Sequence, residues 1–186
     1  VLEELVHFMF AGQFGAAKNM IHISSEVGID LQSDPVLLYA VETSIQLTLA
    51  ELNENLREVY VEAYTQAKIA EMIYRKTAGE LYKIFGSYLP GLTESDFYEL
   101  EIGTAGIMRG YMSRPCDMYF PLKKKLECFL RLALSAYKVP DEKQAQIQKY
   151  IADADMTAIA NTVMQELFRA LAMRFEFTLS DEAFKK

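Results

Sequence analysis

Apolar residues recur along this chain at steps of three and four, the spacing that brings them onto one face of an α-helix. Over residues 1 to about 27, Leu5, Phe8, Met9 and Phe14 supply the larger apolar groups of a first helical stretch, and Gly28 is placed to stop it. Gly12 and Gly15 fall inside that stretch, each costing roughly 1 kcal/mol against alanine, which calls for tertiary compensation. Ser33-Asp34-Pro35 is a start signal, since Asp34 has the side chain to cap free amides and Pro35 suits the first helical position. Leu38, Val41, Ile45, Leu49, Leu52 and Leu56 then carry the period toward Tyr64, with a break expected near Asn53 or Asn55. A further helix is expected from about Ala67 to Phe85, with Ala70, Ile73, Tyr74, Leu81 and Phe85 on its apolar side. Gly86, Pro90 and Gly91 punctuate the chain after it.

Thr93-Glu94-Ser95-Asp96 has the form of a capping box with acidic groups in the first turn. The helix it opens is expected to reach about Tyr111 and to stop before Pro115. Gly103, Gly106 and Gly110 share one face of it, a smooth surface for another helix or for a bound molecule. A segment from about Phe120 to Tyr137 presents Leu122, Leu126, Phe129, Leu130, Ala133 and Tyr137 on one side, widened by Cys128 and Leu132. A short helix around residues 141–152 follows Pro140, and Asp155 is placed to cap a last long helix carrying Ile159, Val163, Leu167, Phe168 and Leu171. Stripes this broad suit burial against a core and a partner together. A less ordered tail is expected after Arg174. The expected fold is all-α, one domain of about seven helices over residues 1–186, with no strand pattern and no linker long enough to divide it.

Composition narrows the function classes. The chain has 186 residues, 51% of them hydrophobic and 24% charged, enough to bury one sizeable core. No apolar run approaches the ~20 residues of a membrane span, and acidic Glu3 and Glu4 stand where a signal peptide would be basic. Nineteen basic against 26 acidic side chains give a net charge of -7, poor equipment for binding phosphate backbones. Lys123-Lys124-Lys125 reads as a solvated helical face rather than a nucleic-acid patch. Cys116 and Cys128 lack metal spacing and suggest free thiols in a reducing compartment, so a cytoplasmic, membrane-free location is expected. The chain opens on Val1 directly in a helical pattern with no capping residue before it, as though cut from a longer parent.

Catalytic chemistry is hard to assemble from these residues. His7 and His22, about four turns apart in the first stretch, are too distant to act together. Glu4-Leu5-Val6-His7 matches one Glu-x-x-His unit of a di-iron bundle, but Asn19 stands where the unit ending at His22 would need its acid. The glycines form neither a dinucleotide fingerprint nor a phosphate loop. No enzyme activity, cofactor or metal is therefore expected, although a metal-dependent helix bundle stays a possible class. The nine methionines, eleven tyrosines and eleven phenylalanines fit a core, and equally the walls of a cavity for a hydrophobic ligand. Glu42 and Gln46 neighbour the apolar stripe of Val41, Ile45 and Leu49, and Tyr39, Tyr82 and Tyr111 offer hydroxyls in the same manner.

Taken together, the order of elements resembles the C-terminal body of the tetracycline-repressor (TetR) family over most of the chain. Val1-Leu2-Glu3-Glu4-Leu5-Val6 looks like the helix leaving that family's DNA-binding head. Residues 101–112, from Glu101-Ile102-Gly103-Thr104 to Gly110-Tyr111-Met112, look like the central helix before the dimer region. Residues 120–137 and 156–174 look like the dimerising helix pair. The resemblance implies a homodimer joined through Leu126, Phe129, Leu130, Ile159, Val163, Leu167, Phe168 and Leu171. It also implies a small hydrophobic effector in a pocket framed by the helices carrying His7, Tyr39, Tyr82 and Met108, with Glu42, Gln46 and Tyr111 as further candidates. Operator DNA would be met only through an N-terminal helix-turn-helix, which this sequence lacks. A stand-alone dimeric interaction or small-molecule-binding protein is the alternative.

Overall fold

Asp34 starts the helical order in the way its chemistry requires: its Oδ1 accepts hydrogen bonds from the backbone N–H groups of Val36 at 3.1 Å and Leu37 at 3.3 Å. In the computed structural model, Val6 and residues 34–174 are described, apart from the side chains of Ala170, Leu171, Met173 and Arg174. The first stretch, with Gly12, Gly15, His7 and His22, and the tail beyond Arg174 lie outside the described residues. The fold is all-α. Seven helices are present among the described residues, with no strand: α1 (Pro35–Leu52), α2 (Glu54–Thr65), α3 (Ala67–Phe85), α4 (Glu94–Ser113), α5 (Leu122–Ala136), α6 (Asp141–Asp153) and α7 (Met156–Arg174).

The breaks fall where local chemistry asks for them. Asn53 leaves the helical region at φ -140° and ψ 114° and serves both sides, closing α1 and accepting the Leu56 N–H of α2 at 3.1 Å. The capping box at Thr93 and Asp96 forms, and α4 ends at Ser113, two residues before Pro115. Asp155 accepts the Ala158 N–H at 2.9 Å and so caps α7. Lys138 takes a left-handed φ of 53° after α5, and the Val139 N–H returns to the Leu134 carbonyl at 3.0 Å. That turn fixes Tyr137 at the end of α5, with its ring fully buried.

α1 is the axis of the bundle. It is buried on nearly every side and packs against α2, α3, α4, α5, α6 and α7. α3 lies along α4, α7 lies chiefly along α1, and α5 lies against α4 and α6. The last helix therefore spends much of its apolar stripe on α1. Leu126, Phe129, Leu130, Val163 and Leu167 are all within the chain's own core, no more than 5% exposed, and Ile159 is partly buried against it. Their breadth of stripe serves several neighbours inside one chain. Of the residues expected at a partner surface, Phe168 is 45% exposed, while the Leu171 side chain lies outside the described residues. Gly103, Gly106 and Gly110 point outward from α4, and a Cβ at any of them would meet nothing within 4 Å.

The lysine run also needs correction. Lys123 and Lys124 face water, but Lys125 is 1% exposed and pairs with Glu51 at 2.8 Å. Its ammonium also donates to the Arg114 carbonyl, and Glu51 accepts the Cys116 N–H at 3.0 Å, so one ion pair ties α1, α5 and the chain after α4 together. Burial pushes the Glu51 carboxyl up, but the bonds from Lys125 and Cys116 outweigh it and hold it below its ordinary value. Glu51→Ala would leave the Lys125 charge buried and uncompensated. A loss of about 3 kcal/mol is expected in urea melts, the low end for such pairs because Glu51 keeps some contact with water.

Candidate ligand-binding cavity

α1 turns Tyr39, Glu42, Thr43 and Gln46 to one side, and α4 turns Glu101, Thr104, Ala105 and Met108 back toward them. Both sets follow the same i, i+3, i+4, i+7 spacing, so each is a single helix face. α3 closes a third side with Met72, Ile73, Leu81 and Ile84, α2 adds Tyr64, and Val6 contributes from the N-terminal stretch. These groups enclose a cavity of about 470 Å³, within the range of small-molecule sites. Lys76 and Glu80 of α3 are exposed and mark its rim.

Two carboxyls stand in this largely apolar wall. Glu101 is 7% exposed and Glu42 is partly buried. Burial pushes Glu42 up to about 7, with the Glu80 charge adding to the shift. Burial likewise pushes Glu101 up to about 7, against a lowering bond from Thr104. The Thr104 hydroxyl lies 2.8 Å from a Glu101 carboxyl oxygen and 2.8 Å from the Tyr137 hydroxyl, making a buried row of three polar groups. Behind the wall, the Tyr137 ring stacks on Phe85 with centroids 4.2 Å apart, and Tyr39 meets Phe85 edge-on at 5.1 Å. Burial, followed by the charge of Glu101, raises the Tyr137 phenol, so it stays protonated. Gln46 is 4% exposed, and its side-chain amide makes no hydrogen bond among the described residues.

The structure brings four of the expected ligand residues together: Tyr39, Glu42, Gln46 and Met108 all line the cavity. Tyr82 does not; it is 41% exposed, on the far side of α3, with its ring 5.5 Å from Phe97. Tyr111 lies one turn beyond the cavity, between Phe120 at 6.2 Å and Phe129 at 6.3 Å. His7, and with it the Glu4-x-x-His7 unit, lies outside the described residues. Sequence reasoning missed Glu101, Thr104 and Tyr64. Glu101 and Thr104 precede Met108 by seven and four residues, which placed them on its face.

A second concavity of about 580 Å³ lies between α5, α6 and the start of α7. Its rim mixes Lys123, Lys149, Glu127 and Asp155, and no buried ionisable group points into it. Among the described residues no three His, Cys, Asp or Glu side chains gather as metal ligands, and no helix is long and apolar enough to cross a membrane. Cys116 and Cys128 are free thiols, and burial, then Glu51, pushes the Cys116 thiol up. No protein-family profile, curated protein or solved structure matches the chain.

The two raised carboxyls set a pH dependence. The folded state holds their protons up to about 7, whereas the unfolded chain releases them near 4.5. Between those values these two groups bind more protons in the folded state, so their contribution to stability falls as pH rises and is smallest above about pH 8. Joint Glu42→Gln and Glu101→Gln substitution is expected to flatten that slope in urea melts from about pH 5 to about pH 8. An unchanged slope would mean the carboxyls titrate as they do in water.

Proposed function

We propose that this chain is the ligand-sensing and dimerising body of a TetR-type transcriptional regulator, with a small hydrophobic effector in the α1–α4 cavity. The observation that carries this reading is the cavity itself, in whose wall Val6 stands 2% exposed beside α1, α3 and α4. In the family arrangement the N-terminal helix leads to the DNA-reading head, so a ligand touching Val6 touches the element that would move. The effector acts by favouring one position of that helix, changing the spacing of two heads in a homodimer. A ligand with equal affinity for both positions would shift nothing. On this reading the chain works in the cytoplasm as a binding protein, not as an enzyme, and DNA is contacted by a helix-turn-helix outside the given sequence. The net charge of -7 favours a second reading, a small-molecule-binding or interaction protein that does not touch DNA.

The complete product of the native gene separates the two. Selection from a random duplex pool should return a two-fold symmetric site for a regulator; retention of no DNA would leave the second reading standing. The dimer is tested at Phe168, because Leu167 is 3% exposed and its replacement by aspartate would disrupt the core instead. Phe168→Asp is expected to give monomers in light scattering with an unchanged helical circular dichroism spectrum. Persistent dimers would place the interface elsewhere.

A further inference from the structure

Among the described residues, the charges around the cavity are lopsided. Glu42 and Glu101 face the interior from α1 and α4, and Glu80 stands at the rim on α3. Lys76, the basic residue in the lining, lies one turn from Glu80 at the same exposed rim. Among the described residues, the other groups facing the two inner carboxyls are neutral: Tyr39 on α1, Tyr60 and Tyr64 on α2, Thr104 on α4 and Tyr137 at the end of α5. Both carboxyls act on the Tyr39 and Tyr64 hydroxyls, which places the four groups in one electrostatic neighbourhood.

A second observation points to an occupant. Gln46, one turn beyond Glu42 on the same face, is buried and lines the cavity with its amide unpartnered among the described residues. Glu42, likewise, draws no hydrogen bond from the described residues. Buried polar groups are ordinarily satisfied, so the Glu42 carboxyl and the Gln46 amide, which open onto the cavity, are placed to meet polar groups of an occupant.

We infer that the occupant is a lipophilic cation, its charged centre beside Glu42 and Glu101 and its body against Met72, Ile73, Leu81 and Met108. This rests on the reading of the cavity as a ligand site. An anion would bring a further like charge into a wall that already disfavours two. A cation supplies the countercharge that burial withholds, and the rings of Tyr39 and Tyr64 offer it additional faces. The cavity then exchanges bound protons for the ligand, since the carboxyls ionise as the cation enters.

Tetraphenylphosphonium and tetraphenylborate have nearly the same shape and opposite charge, and N-phenyl-1-naphthylamine is a neutral fluorescent probe of apolar cavities. With the full chain at about pH 7, calorimetry should show one phosphonium per chain bound at least about ten-fold more tightly than the borate. The observed heat should differ between phosphate and Tris buffers, reporting protons released on binding. Affinity for the phosphonium should weaken as pH falls from about 8 to about 6. Joint Glu42→Gln and Glu101→Gln substitution should lower phosphonium affinity about ten-fold and change naphthylamine affinity by much less. Naphthylamine binding with no preference for the phosphonium, or with no loss in the double variant, would overturn the cation and leave the ligand site standing. Binding of none of the three probes would overturn both.

Discussion

Everything in this bundle depends on α1 being surrounded. A helix enclosed on nearly every side has little water for its polar groups, and α1 turns two threonine hydroxyls back onto its own backbone while the buried Ser44 hydroxyl meets no partner among the described residues. Thr43 donates to the Tyr39 carbonyl at 2.8 Å and Thr48 to the Ser44 carbonyl at 2.7 Å. Glu42 and Gln46 are too long for that solution, and the space they reach is the cavity. The cavity is thus the place where the central helix of the fold keeps polar groups that it cannot hide.

Two ways of treating a buried acid occur on that one helix. Glu51, near its C-terminal end, is matched with Lys125 and a backbone N–H, and its proton is lost readily. Glu42, two and a half turns earlier, has no such partner among the described residues and holds its proton toward neutrality. The first arrangement locks three parts of the chain together. The second keeps free energy in reserve, because removing a carboxylate from water without a partner is costly until something compensates it. A protein shaped for stability alone would favour the first arrangement or an apolar residue at both positions.

Helix positions were legible in the sequence because their signals are local. Asp34-Pro35, the Thr93–Asp96 box, Pro115 and Asp155 each act within one turn, and the structure places helix ends at all of them. Pairing of helices was not legible, since an apolar stripe records that a face is covered but not by what. That is why Leu126, Phe129 and Leu130 read as a partner surface although they fill the chain's own core. Lys125 misled for the same reason: its neighbours Lys123 and Lys124 are solvated, and the acid that draws it inward is 74 residues away in sequence. In the cavity, the α1 half was readable as polar residues beside an apolar stripe. Glu101 was hidden among the glycines of α4, which drew attention to the opposite face.

The row formed by Tyr137, Thr104 and Glu101 has a polarity, because a hydroxyl has one hydrogen to give. With Glu101 ionised, the carboxylate takes the Thr104 hydrogen, and Tyr137 must be the donor to Thr104. With Glu101 protonated, the acid can donate instead, Thr104 can pass its hydrogen to Tyr137, and the whole row points the other way. The phenol at the end of α5, held in a stack of rings, then has its hydrogen free or engaged according to the charge in the cavity. A change in the charge of Glu101 is thereby written as a reversal of direction across the α4–α5 contact, without any atom having to travel far.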